Sequence, residues 1–209
     1  MKQFTARTFN IPALKGISSK NIEEHLKLYA GYVKNLNLIQ DKMDAYAKDA
    51  ESNAYALNEL LRRFSFEYNG IRNHEVYFSS LEGGSSSLSD SSPLKALISE
   101  TWNSFDDWLA GFKNFAATTR GIGWATLWYD PTDKRLISSW IDEQHLGQLN
   151  GCRMILAIDM WEHSYVADYQ PSGKKTYVED YFANLNWNVI EANLRAAQAS
   201  PSASASAGI

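Results

Sequence analysis

The stretch Arg153–Tyr165, RMILAIDMWEHSY, constrains this chain more than any other. Met154–Ile158 is an apolar run of strand length, which reads as a buried strand. It ends on Asp159, and Trp161, Glu162 and His163 follow at once. A carboxylate at the end of a buried strand, with an imidazole four residues on, can serve one cavity. The strand holds the first ligand rigidly and the turn after it brings the second round. A plainer reading is also open: an aspartate capping the next helix beside a satisfied core histidine.

Further imidazoles are few, because the chain has only four histidines, at positions 25, 74, 145 and 163. Residues 1–18 read as extended, interrupted by Pro12 and Gly16. Ser18 or Ser19 can cap a helix from about Asn21 to the late thirties. On it His25, Tyr29 and Tyr32 fall at i, i+4 and i+7 and share one face, with Leu28 and Val33 beside them in the expected buried stripe. The polar run Gln40–Asn53 continues that helix and then turns. A second long helix is predicted from about Ala54 to Leu81. Gly70 in its middle costs about 1 kcal/mol relative to alanine, which implies that a neighbour needs the space. His74 lies one turn later, and an antiparallel hairpin of the two helices would bring His25 and His74 together.

Glu82–Ser92, EGGSSSLSDSS, is the best candidate boundary. Residues 1–84 are expected to form a helical-hairpin domain and 85–92 a Gly/Ser linker. Residues 93–199 form a C-terminal α/β domain, and 200–209 (SPSASASAGI runs from Ser200) a disordered tail. Ser92-Pro93 opens a helix. After Gly123 the period changes: Trp124–Tyr129 and Arg135–Ile141 read as strands joined by Asp130-Pro131-Thr132-Asp133, with Ile155–Ile158 as the third. Helices return near Thr176–Phe182 and Asn188–Gln198. The fold class is therefore α+β, an antiparallel helical hairpin followed by helices around a small three-stranded antiparallel sheet.

The chain's formal net charge of −4 gives no support to nucleic-acid binding. Its single cysteine, Cys152, excludes an intrachain disulfide and a thiolate cluster. The N-terminus carries no long apolar stretch of the kind found in signal peptides and membrane anchors, so no membrane partner and a cytoplasmic location are expected.

The string D-x-W-E-H-S-Y closely resembles the D-x-W-E-H-A-Y signature of the iron/manganese superoxide dismutases. The resemblance extends over most of the chain. GIGWATLWYD, from Gly121 to Asp130, is similar to the family's glycine-tryptophan strand, and F-x-x-N-G-x-x-N-H-x-x-x-F to its second-ligand helix. YVEDYFANLNWNVIEANL is similar to its C-terminal segment, with Asn186-Trp187 matching and Phe182 replacing a tryptophan.

The resemblance implies one manganese or iron ion per subunit, held by His25, His74, Asp159 and His163. Imidazole and carboxylate suit iron, manganese or zinc. Tyr32 and Gln144 would act as catalytic residues through the metal-bound solvent. Tyr29, Gly70, Phe78, Trp124 and Trp161 would surround them, with Phe78, Trp124 and Trp161 as an apolar wall. Gly70 together with Gln144 is the arrangement that the family associates with manganese. The implied reaction is dismutation of superoxide to oxygen and hydrogen peroxide by a homodimer bridged through Glu162 and His163. Lys27 and Arg72 are candidate basic residues near the site.

Two departures accompany the resemblance. The family's first helix reads H-x-x-x-H-x-x-x-Y-V, whereas here Tyr29 replaces the second histidine and Tyr32 comes at +7 from His25. Spacings of +4 and +7 fit a regular helix, so a first helix without a π-bulge is expected. Val166 stands where the family carries the tyrosine that pairs with the missing histidine at the gate. The entrance is then built differently, with Tyr29 a candidate substitute. The alternatives are a dismutase fold kept for structural contacts without catalysis, and a different metalloenzyme on the same site.

Overall fold

Ser18 ends the extended N-terminal segment by accepting a hydrogen bond from the Asn21 N–H at 3.1 Å. That cap starts helix α1, Ser19–Tyr46. At 28 residues α1 is about 42 Å long, and it is α-helical throughout, without a π segment. The computed structural model describes residues 2–199. The tail 200–209, expected to be disordered, lies outside the described residues.

Helix α2, Ala54–Ser79, returns along α1. His25 meets His74 near one end of the pair and Tyr32 meets Phe66 further along, so the hairpin is antiparallel. The stripe on α1 differs from expectation at one place. Val33 is buried but Leu28 is 43% exposed. Leu28 stands three residues after His25, at the edge of the inward face, and Tyr29 takes the interior position beside it.

After the hairpin the Gly/Ser segment runs against the end of the chain. Ser86 N–H donates to the Leu185 carbonyl at 3.0 Å, and Ser86 Oγ donates to Asn186 Oδ1 at 2.7 Å. Ser92 then caps α3, Pro93–Trp102, and Ser104 caps α4, Phe105–Thr118. Asp106 and Asp107 fill the first turn of α4, where the helix dipole favours negative charge.

Three strands follow: β1 Trp124–Asp130, β2 Arg135–Ile141 and β3 Arg153–Asp159. They form one antiparallel sheet in the order β2-β1-β3. Central β1 is buried at six of its seven positions, as a strand covered on both faces must be. Gly123 precedes it with φ +122°, and a Cβ there would collide with the Ile141 carbonyl. The β1–β3 register slips between Leu127 and Trp128, leaving Ile155 as the extra residue of a bulge. Its carbonyl accepts instead from Asn193 Nδ2 at 3.0 Å.

The chain closes with α5 Val166–Tyr169, α6 Lys174–Asn184 and α7 Trp187–Ala199. The fold is α+β, as the sequence predicts. One core of buried side chains runs from Ile22 and Tyr77 on the hairpin through Trp124 and Leu156 on the sheet to Leu194 on α7. No helix among the described residues is long and apolar enough to cross a membrane.

Candidate metal centre

The register of the sheet sets the site. Trp124 opens β1 directly opposite Asp159, which closes β3, so both lie at the sheet end facing the hairpin. Asp159 is fully buried. Its Oδ1 accepts the Trp161 N–H at 2.8 Å, and this leaves Oδ2 turned to the cavity. Three imidazoles converge on that oxygen: His25 Nε2 at 3.1 Å, His163 Nε2 at 3.2 Å and His74 Nε2 at 3.7 Å. One donor atom from each of His25, His74, Asp159 and His163 lies within 4.8 Å of the others.

Hydrogen bonds fix which nitrogen faces inward. His74 Nδ1 donates to the Gly70 carbonyl one turn back, at 2.6 Å, so Nε2 carries the lone pair. That Nε2 is buried and has no hydrogen-bond partner among the described residues. An orphaned imidazole nitrogen aimed at a carboxylate is costly unless something binds there. Three imidazoles with one carboxylate are a donor set that manganese, iron or zinc takes. The residues present therefore fit a metal ion, and all four expected donors are brought together.

Electrostatics point the same way. Burial lowers the pKa of His25, with Asp159 opposing, and lowers that of His74 to about 3. Burial pushes the Asp159 carboxyl up, but His163 and His25 outweigh it and hold the group below the usual carboxylate range. His25 and His74 are thus held as neutral imidazoles beside a carboxylate, the protonation states that metal binding needs.

A hydrogen-bonded chain lies beside the donors. Trp124 Nε1 donates to Gln144 Oε1 at 2.9 Å, and Gln144 Nε2 donates to the Tyr32 hydroxyl oxygen at 2.9 Å. The indole N–H can only donate, so the amide orientation is fixed and the Tyr32 proton is free to point elsewhere. Burial, then the charges of Asp159 and Glu67, raise the Tyr32 pKa well above its ordinary value. Gly70 makes room for that ring: a Cβ there would come within 2.5 Å of Tyr32 Cδ1.

The aromatic residues named from sequence surround the donors. Phe78 packs on His25 at a ring distance of 4.9 Å, Trp124 on His74 at 4.9 Å and Trp161 on His163 at 5.8 Å. Tyr29 lies 6.3 Å from His74, and its hydroxyl accepts from Arg7 N–H and donates to Glu75. With 1% exposure Tyr29 is an interior residue of the chain, beside His74 as expected. Glu162 is exposed and His163 is partly so. Of the two candidate basic residues, Lys27 is paired with Glu24 at 2.7 Å and Arg72 with Glu75 at 2.6 Å.

Several supporting residues escaped sequence reasoning. Asn73 Nδ2 donates to the Gln144 carbonyl and Asn73 Oδ1 accepts from Gln148 Nε2, tying the Gln144 loop to α2. Ser164 Oγ and the Tyr177 hydroxyl both donate to the Asp159 carbonyl, at 2.9 and 3.0 Å. An asparagine next to a ligand histidine on an apolar helix face was the available signal for Asn73. Nothing in the local spacing of Tyr177 pointed to β3.

Known proteins share this arrangement's sequence. Residues 90–193 match the family described as iron/manganese superoxide dismutases, C-terminal domain. The chain is 34% identical to the iron superoxide dismutase of Aquifex aeolicus over 182 residues, covering 85% of this chain and 84% of that protein. It is 36% identical to the iron enzyme of Cupriavidus metallidurans over 176 residues, 83% of this chain and 86% of that one. It is 31% identical to the manganese enzyme of Mycolicibacterium fortuitum over 193 residues, 90% of each. With the ligand cluster on one side and this likeness along most of the chain on the other, the chain belongs to the iron/manganese superoxide dismutase family.

Proposed function

We propose that the chain dismutates superoxide, turning two superoxide anions and two protons into one oxygen and one hydrogen peroxide. The observation that carries this reading is the convergence of three imidazole nitrogens and one carboxylate oxygen within 4.8 Å, in an interior lined by aromatic rings. A manganese or iron ion held by His25, His74, Asp159 and His163 would supply the one-electron exchange with each superoxide. The protein's own residues do the rest. Asp159 keeps its charge, and burial keeps His25 and His74 neutral, so the carboxylate's negative charge faces the cavity and favours a cation there. Tyr32 stays protonated and offers its proton to the cavity, while Gln144 holds its oxygen in place. Both protons of the product must come from water, and Tyr32 is the hydroxyl through which we route them.

Phe78, Trp124 and Trp161 bound the cavity with apolar surface and exclude larger reductants. We favour manganese, on the pairing of Gly70 with Gln144: the Tyr32 ring fills the space a longer residue at 70 would need. We further propose a homodimer in which the exposed Glu162 of one subunit meets His163 of the other. A cytoplasmic location belongs to the same reading, and superoxide is the substrate. The test is superoxide decay in the presence of metal-loaded protein and of its His74→Ala variant. Fast decay with the first and background decay with the second supports the reading; equal decay with both contradicts it.

A further inference from the structure

A cavity of about 330 Å³ opens on the face of α2 opposite the metal centre. Its wall is built from Arg7, Arg72, Arg153, Glu75, Ser79 and Asn193. Arg72, Glu75 and Ser79 recur at i, i+3 and i+7 on one helical face, whereas His74 points to the other. Arg153 begins β3 and Asp159 ends it, so Arg153 stands about 20 Å from the ligand cluster along the strand, while Arg72 and Glu75 flank His74 on α2 and bring the other wall of the cavity closer to it. The Ile155 bulge and Asn193 shape the corner between them.

We infer that this cavity binds a phosphoryl group. Three guanidinium groups face one carboxylate across it, although the whole chain is acidic at −4. Two of the three are held in position. The Arg7 guanidinium lies 5.0 Å over the Phe9 ring and that of Arg72 lies 5.1 Å over Tyr68. Each keeps N–H groups to spare, because Arg7 spends only one on Ser79 Oγ at 3.5 Å and reaches Glu82 at 3.9 Å. Arg153 has no ion pair among the described residues. The carboxylate does not spoil the site. Glu75 is 12% exposed against 45% for Arg72 and 52% for Arg7, so it lies beneath them. It is neutralised by Arg72 at 2.6 Å and also accepts the Tyr29 hydroxyl.

Planar guanidinium forks match phosphate oxygens in pairs, which lysine cannot do. Val76 and Met154 add an apolar floor. The volume sits at the small end of the roughly 300–1,000 Å³ usual for small-molecule sites. Inorganic phosphate or a small phosphomonoester fits it, and a large nucleotide does not.

Isothermal titration of the metal-loaded full chain with inorganic phosphate, and separately with phenyl phosphate, tests the assignment. Saturable binding in the millimolar range or tighter is expected, weakened about tenfold or more by Arg153→Gln. Arg62→Gln removes an equal charge far along the hairpin and should leave binding unchanged. Tighter binding of phenyl phosphate assigns a phosphoester, and equal or tighter binding of inorganic phosphate assigns the free ion. No saturable binding of either probe would overturn the site. So would binding that Arg153→Gln leaves intact, or that Arg62→Gln weakens as much.

Discussion

A side chain at position 70 would strike the Tyr32 ring at 2.5 Å, and this sets the sign of a substitution there. Gly70→Ala gains about 1 kcal/mol of helix propensity but overpacks a filled interior at about 1–3 kcal/mol. The expected net result is a modest loss of stability with full metal content and a severalfold slower superoxide decay. Unchanged decay would separate Tyr32 from the chemistry. Acid sensitivity also belongs to single residues. His25 and His74 have folded pKa values below the free value, the latter at about 3, so the unfolded chain binds their protons first. Stability of the metal-free protein must therefore fall as pH drops from about 6.5, by up to about 1.4 kcal/mol per pH unit and group. Asp159, held low by His163 and His25 against its burial, adds the same sign below about pH 4. Urea midpoints at pH 7.5 and pH 5 check this; the lower midpoint belongs at pH 5. At this scale the sequence named the four donors, Tyr32 and Gln144 as candidates, and the structure brings them together. It misplaced Leu28, because neighbours on a helix edge are sorted by packing from other elements: Phe9 and Arg7 cover Tyr29 from outside the helix, and Leu28 is left exposed.

Elements carry the site by anchoring it to one another. Asn73 joins α2 to the Gln144 loop through two hydrogen bonds, one of them to a buried backbone carbonyl. Asn73→Ala leaves that carbonyl with one partner fewer and should cost about 1–3 kcal/mol. It should also slow superoxide decay by loosening Gln144, with His74 still able to bind metal. A chemical-denaturation curve and a metal assay on the same sample separate these effects. Tyr177→Phe removes one donor to the Asp159 carbonyl, which Ser164 still serves, together with the 3.3 Å hydroxyl contact to Tyr77, and should cost about 1 kcal/mol. The elements themselves were largely readable. Alternating apolar runs, the Ser18 and Ser92 caps, and the turn at Asp130–Asp133 fixed helices and strands within a few residues. The bulge at Ile155 and the bonds from Asn193 and Tyr177 were not readable, because each pairs residues more than fifteen positions apart.

For the whole molecule, the proposed homodimer makes a distinct prediction. Glu162 is exposed in the single chain and His163 is partly so, as a bridge between two copies requires. Glu162→Ala should shift sedimentation from dimer toward monomer and raise metal loss, while a native sequence that sediments as a monomer would remove the bridge. The central claim, that the interior cluster is a redox metal centre, is tested most directly by reconstitution. Metal-free protein is loaded separately with manganese and with iron, the bound metal is counted, and superoxide decay is followed with each. The account predicts one ion per chain and rapid decay, faster with manganese than with iron. One ion per chain with decay no faster than in buffer, for either metal, would contradict it.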